Sequence, residues 1–178
     1  MNNKEELKLY IPQLEELGYY KSQLSDPLTM SYNAPWFPPD GCIDFPREEW
    51  DAWYSQWIGQ EPKRFFAYLQ KVSDGSFIGY VNFHYNPTDD YRDMGILISA
   101  SERAKGYSKR GLKLLLDRAF LDNQVRLLHN SFEKTRSAAY KTHKSLGFIE
   151  VEKYDEYFHL FLSREDYLEF LGSSNEKI

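Results

Sequence analysis

The sequence predicts an α+β domain with one mixed, mostly antiparallel sheet flanked by helices. Three observations carry that expectation. A meander of three short strands fills the middle of the chain, from Phe65 to Ser99. The hydrophobic period then changes from two to 3.6 over Tyr107–Leu121. A strand, a second helix and a closing strand pair follow, so helices and strands interleave around one sheet. The 178 residues, 42% hydrophobic and 28% charged, suit one domain able to bury a sizeable core. Residues 1–172 are expected as that single domain, and residues 173–178 as a disordered tail.

Each element has its own signal. Leu7, Leu9 and Ile11 alternate with polar residues and stop at Pro12, which predicts a first strand. Leu14, Leu17 and Leu24 predict a helix ending near Asp26-Pro27. Residues 33–46 hold four prolines and Gly41, hence an irregular loop. Arg47–Ile58 reads as a helix with Trp50, Trp53, Tyr54 and Trp57 on one face, an aromatic stripe that suits a core before it suits a ligand pocket. Phe65–Lys71, Phe77–Tyr85 and Asp93–Ser99 are the meander, turned at Ser73–Ser76 and at Asn86–Asp90. Leu112, Leu115, Leu116, Ala119 and Phe120 then mark one face of the helix Tyr107–Leu121. Val125–Ser131 is a strand, and Arg136–Leu146 a helix closed by Gly147. Phe148–Lys153 pairs with Tyr157–Ser163, and the chain frays after Leu171. The expected order is β-α-α-β-β-β-α-β-α-β-β.

Composition excludes several function classes. No stretch is apolar enough to cross a bilayer, and Met1–Glu6 lacks the apolar core of a secretory signal. One cysteine, Cys42, permits neither an intramolecular disulfide nor a cysteine-based metal cage; it is expected as an ordinary thiol in a reducing, cytoplasmic setting. No metal is expected. The net charge of −5 argues against nucleic acid as a partner. Yet residues 101–144 hold 11 of the 22 basic residues and only 4 of the 27 acidic ones. That segment is either a solvated basic face or a site for a compact polyanion.

The chemistry-bearing stretch runs from Gly95 to Arg110. A buried strand enters a short loop containing Gly106, and the loop opens directly into a helix. The first N–H groups of a helix have no internal partner and the dipole favours an anion there, so such a turn holds phosphate without special side chains. Arg103, Lys105, Lys109 and Arg110 add positive charge. It is neither a Walker A loop nor a dinucleotide fingerprint, because the further glycines and the Gly-Lys-Ser/Thr are missing.

This segment resembles the Arg/Gln-x-x-Gly-x-Gly/Ala signature of the GNAT acetyltransferase superfamily, standing here as Arg103-x-x-Gly106-x-Ser108. The run Arg136–Phe148, ending in Leu146-Gly147-Phe148, is similar to that family's second helix and the strand after it. The resemblance covers about Phe65 to Phe148, and looks most like the branch that includes the ribosomal-protein N-terminal acetyltransferases. It implies a sheet splayed between the fourth and fifth strands, with acetyl-CoA in the gap. The pyrophosphate would lie on the backbone of Arg103, Ala104, Lys105, Gly106, Tyr107, Ser108 and Lys109. The pantetheine arm would pair with Leu97, Ile98 and Ser99, and Arg136, Ala139 and Tyr140 would complete the cofactor site. Three positions depart from the family: Ser108 for Gly or Ala, Arg136 for an Asn, and His143 for a Tyr that serves as general acid.

Aminolysis of a thioester needs a neutral amine, an oxyanion donor and a proton for the departing sulfur. Asp93, near where family members often carry a Glu, is the first candidate base, with a solvated strand-end Asp as the alternative. His84 on the neighbouring strand is the second candidate, its ordinary pKa being better matched to neutral pH. His143 stands at the family's acid position, or is a buried, hydrogen-bonded histidine, and Tyr140 one turn earlier could substitute. A backbone N–H of Leu97–Ser99 is the expected oxyanion donor. The loop Tyr32–Phe45 and the Trp helix are the candidate amine pocket, where Asp40 and Asp44 could attract a cation. The resemblance thus implies direct acetyl transfer to a primary amine, either a small molecule or a protein N-terminus. A non-catalytic acyl-CoA-binding domain with the same fold is the alternative, and a homodimer stays open.

Overall fold

Seven strands form one sheet in a computed structural model that describes residues 5–153 and 155–175. They are β1 (Leu7–Tyr10), β2 (Arg64–Lys71), β3 (Phe77–Asn86), β4 (Tyr91–Ile98), β5 (Leu127–Glu133), β6 (Ile149–Glu150) and β7 (Tyr157–Ser163). Their spatial order is β1-β2-β3-β4-β5-β7-β6. All pairs are antiparallel except β4 with β5. The β3–β4 register runs unbroken from Asn86 opposite Tyr91 to Gly79 opposite Ile98. By contrast, β4 and β5 are in register only at Arg92 with Leu128 and Asp93 with His129. Beyond those two residues the strands diverge, which is the expected splay between the fourth and fifth strands.

The helices are α1 (Leu17–Leu24), α2 (Pro27–Met30), α3 (Trp50–Trp57), α4 (Tyr107–Asp117), α5 (Ser137–Lys144) and α6 (Arg164–Asn175). Capping explains α2: the Asp26 carboxylate accepts the N–H groups of Leu28 and Thr29, with Pro27 in the first helical position. Helix α4 lies close on the sheet because Gly111 has no side chain; a Cβ there would come within 2.5 Å of Leu69 Cδ1. Its regular part ends at Asp117. A wider π turn, Arg118–Asp122, continues it and keeps Ala119 and Phe120 in the core.

Each sheet face has its own core. On one face α4 buries Leu112, Leu115 and Leu116 against Ala67, Leu69, Val81, Met94 and Ile98. On the other, Leu17, Leu24, Phe45 and Trp50 pack on Phe66, Tyr68, Tyr80 and Leu97. The aromatic stripe of α3 is therefore core material: Trp53 meets Phe66 edge-on at 4.8 Å and Trp50 is buried.

Three expectations are corrected. The chain does not fray at Leu171. Helix α6 runs to Asn175, anchored by fully buried Tyr167, whose hydroxyl donates to Asp117 Oδ1 at 2.7 Å; residues 176–178 of the expected tail lie outside the described residues. The strand expected over Phe148–Lys153 shrinks to β6, because β7 offers register partners only to Ile149 and Glu150. The helix expected from Arg136 to Leu146 begins after Arg136 and stops at Lys144.

Candidate active site

The turn before α4 is built to leave backbone donors unpaired. Ala104 and Gly106 both have left-handed backbone, at φ 62° and 75°. Glycine adopts that conformation freely; alanine does so at a cost. Gly106 is the N-cap of α4, and no side chain caps this helix. The first N–H groups of α4 are thus left for another partner. A Cβ on Gly106 would meet nothing within 4 Å, so the approach to these donors is open. These residues fit the phosphates that the sequence resemblance puts here.

Between the diverging halves of β4 and β5 lie two adjoining cavities, of about 400 and about 190 Å³. The larger begins at the α4 turn, with Arg103, Ala104 and Ser108 on its wall, and runs along Ile96–Ile98 to Ala139 and His143. The smaller continues it to Tyr80, Asn82, Gly95, Asn130 and Ser131. Tyr32 and Arg136 line both, the guanidinium lying 4.8 Å over the Tyr32 ring. The Ser99 N–H donates to Ile78 O on β3. N–H groups alternate in direction along a strand, so those of Ile96 and Ile98 point to the opposite, open edge.

Several expected residues stand on the cavity wall: Leu97, Ile98, Arg103, Ala104, Ser108, Arg136, Ala139 and His143. Not every expected residue offers its polar group to the cavity. Arg103 is tied down, donating to Ile98 O at 3.2 Å, Leu28 O at 3.1 Å and Thr29 O at 2.5 Å. Ser99 donates to Gln23 Oε1 and so faces α1. Lys105 pairs with Glu102 at 3.2 Å. The Tyr107 ring is buried in the core beneath Arg110, which also donates to Glu5 O. Lys109 is exposed on the first turn of α4. Tyr140 stacks on Phe158 and donates to Glu150 Oε2 at 2.9 Å.

The titratable candidates divide into two places. His143 is buried, and that burial lowers its pKa to about 4, so it is neutral near pH 7. Its Nδ1–H donates to Ala139 O at 2.8 Å, which leaves Nε2 to accept from Asn130 Nδ2 at 3.0 Å. Asp93 and His84 are cross-strand neighbours on the α1/α3 face of the sheet. Burial would raise the Asp93 pKa, but hydrogen bonds from His129 (2.7 Å) and Asn86 (3.1 Å) outweigh it and hold the carboxyl below its usual range. Burial lowers the His84 pKa, and its buried Nδ1 has no partner among the described residues.

Sequence reasoning missed the polar floor of the cleft, Tyr80, Asn82, Asn130 and Ser131, and the histidines His129 and His159 beside Asp93. Alternation puts Tyr80, Asn82 and His84 on one face of β3 and His129 and Ser131 on one face of β5. Those two faces meet only through pairing across the sheet, and the sequence does not print that pairing.

Residues 7–149 match the model of a known family, the acetyltransferase (GNAT) domain. The fold is similar to solved structures at low sequence identity. One is spermidine N-acetyltransferase from Vibrio cholerae in complex with CoA and spermine. It is 17% identical at a TM-score of 0.74, over 91% of this chain and 98% of that one. Another is a GNAT-family acetyltransferase from Bacillus anthracis, 14% identical at 0.67, over 92% and 98%. No curated protein sequence matches. The similar structures named here include a spermidine enzyme and no ribosomal-protein acetyltransferase, so the finer branch expected from sequence is not supported. The matched domain spans most of the chain and the sheet splays where such a domain holds its donor: this protein belongs to the GNAT acetyltransferase family and is an acyltransferase, with acetyl-CoA the donor its family uses.

Proposed function

We propose that the protein transfers the acetyl group of acetyl-CoA to the primary amine of a small cationic molecule. The observation that carries this reading is the divergence of β4 from β5 after Asp93, which leaves one continuous cleft from the uncapped α4 turn to the polar floor at Asn82 and Ser131.

The residues divide the work by position. The α4 turn offers its first N–H groups, with Ser108 and Lys109, to the phosphates. The open edge of β4 offers an extended arm the donors of Ile96 and Ile98, and one of these would also stabilise the oxyanion. The amine reaches the thioester from the α1/α3 face. Asp93 lies two residues before Gly95 on that face, about 7 Å along the strand from the floor, and reaches the amine through a short chain of water. It takes the amine's proton as the new C–N bond forms. His143 holds Asn130 in place; its single N–H is already given to Ala139. Tyr32 lines both cavities with its ring under Arg136, and its hydroxyl is the donor we assign to the departing thiolate.

A groove beside α3 supports a cationic acceptor. It carries Asp44, Glu48 and Glu49 between the rings of Tyr20, Phe45 and Trp53, and Tyr20 packs against Tyr80 of the cleft. The test is a panel of spermidine, an amino sugar and a tetrapeptide with a free N-terminus. Each is incubated with acetyl-CoA and read by product mass. Acetylated spermidine or amino sugar is the expected result. Acetylation of the peptide alone would move the function to protein N-termini, and no product from any amine would refute the reading.

A further inference from the structure

A line of four titratable side chains crosses the sheet at the base of the cleft, and the mechanism above uses only its first member. Asp93 Oδ1 meets His129 Nδ1 at 2.7 Å. His129 Nε2 meets His159 Nδ1 at 3.4 Å, the two ring planes within 11° and their centroids 5.6 Å apart. His159 Nε2 meets Asp155 Oδ2 at 2.9 Å. The line begins on β4, at the last register pair before the strands part, and passes through β5 and β7. His129 is buried and its ring lies between Tyr91 and Phe161. Asp155, the last member, has 38% of its side chain exposed.

Counting hydrogens shows what this line can do. It has three contacts, each of which needs one proton to become a hydrogen bond. The ionised carboxylates supply none, and each neutral imidazole supplies one. With both imidazoles neutral, one of the three contacts is therefore empty. Tautomer changes move that vacancy along the line without adding charge. When the vacancy lies between Asp93 and His129, a proton arriving on Asp93 fills it.

We propose that Asp93, His129, His159 and Asp155 form a proton-exit line that takes the proton released by the attacking amine and delivers it to solvent at Asp155. This rests on the acetyl-transfer reading above. The amine N–H bond breaks as its nitrogen bonds to the acetyl carbon, and the proton passes to Asp93. A proton then moves across each contact in turn, entering each imidazole at one nitrogen as another leaves from the second. The last one leaves Asp155 for water. No oxidant or further reactant is needed. His129 and His159 act through Asp93 and are positioning residues.

Other charges face the line. His84 and Tyr91 lie against its cleft end, with Asn86 on the second Asp93 oxygen. The hydrogen bond to His159, the Tyr157 N–H and then Lys134, which donates to the Asp155 backbone carbonyl at 2.7 Å, hold the Asp155 carboxyl below its usual range. Both end carboxylates are thus held in the ionised form that accepts a proton.

The test uses His159→Phe, which keeps the ring and removes both nitrogens, and Asp155→Asn as a second variant should the first not fold. With acetyl-CoA and spermidine, the wild-type kcat should not depend on buffer concentration at fixed pH. In the variant kcat should fall roughly tenfold with KM for acetyl-CoA unchanged, and added imidazole should restore it. A kcat that is unchanged, or that falls without imidazole rescue, overturns the proposal. Imidazole ¹⁵N NMR of the wild type gives a readout that needs no substrate. Substitution of either histidine should change which ring nitrogen of the other carries the hydrogen. A tautomer of each ring that is unmoved by substitution of the other histidine would overturn the proposal even if the acetyl-transfer reading stands. If no amine is acetylated, that reading fails and the NMR tautomer readout alone decides.

Discussion

Arg103 carries the family's signature position, yet its guanidinium is spent on the protein itself. It donates to the carbonyls of Ile98, Leu28 and Thr29, binding the turn before α4 to the end of β4 and to α2. Arg103→Met keeps the aliphatic stem and removes every donor. Leu28 is 72% exposed, so its carbonyl can turn to water. Ile98 and Thr29 are buried at 7% and 0%, and their carbonyls lose a charge-assisted partner. At about 1–3 kcal/mol for each stranded buried group, the variant should lose about 3 kcal/mol of stability. For a chain of this length that lowers Tm by roughly 6–12 °C. Thermal unfolding by circular dichroism measures it, and calorimetry of acetyl-CoA binding at two salt concentrations accompanies it. If Arg103 is a brace, binding weakens while the salt slope stays that of the wild type. A Tm within 2 °C of the wild type (about 1 kcal/mol or less), with a shallower salt slope, would refute the reasoning and make Arg103 a direct phosphate ligand.

Three other substitutions probe the frame around the cleft. Gly111→Val drives side-chain atoms into Leu69 and should cost about 1–3 kcal/mol in urea unfolding, since α4 must lift from β2. Tyr68→Phe removes the hydroxyl that donates to Glu16 O at 3.0 Å and accepts from the Tyr20 N–H at 3.3 Å, so α1 should lose about 1–2 kcal/mol and exchange its amides faster. His143 has a folded pKa below its unfolded value, so protons favour the unfolded chain. Its contribution is intact above pH 6.5 and declines as pH falls toward 4, by about 2 kcal/mol at pH 5. Unfolding measured at pH 7 and pH 5 should show that loss in the wild type and lack it in His143→Phe.

Much of this frame is legible in the sequence because it is local. Leu112, Leu115, Leu116, Ala119 and Phe120 repeat at helical spacing, and the structure buries all five. The uncapped turn before α4 is legible for the same reason, a glycine between a buried strand and a helix start. Helix α6 escaped because its apolar residues are few. Its anchor is Tyr167 bonding Asp117 fifty residues earlier, a contact no local pattern reveals. His129 and His159 escaped likewise: each is a lone strand histidine in sequence, and only the pairing of β5 with β7 brings them together beside Asp93. The reading of His143 needed structure to complete it. Its match to the family's acid position suggested an acid and its helical face a buried histidine; its burial and its bond to Ala139 O show where its proton is kept.

The central claim is that the α4 turn and the β4–β5 cleft hold acetyl-CoA. Calorimetric titration with acetyl-CoA tests it most directly, with ATP as a control and with Gly106→Glu, which puts a carboxylate at the uncapped helix start in left-handed backbone. The account predicts micromolar-range binding by the wild type, none with ATP, and a loss of at least about tenfold in the variant. Equal binding by wild type and variant, or none by either, would contradict it.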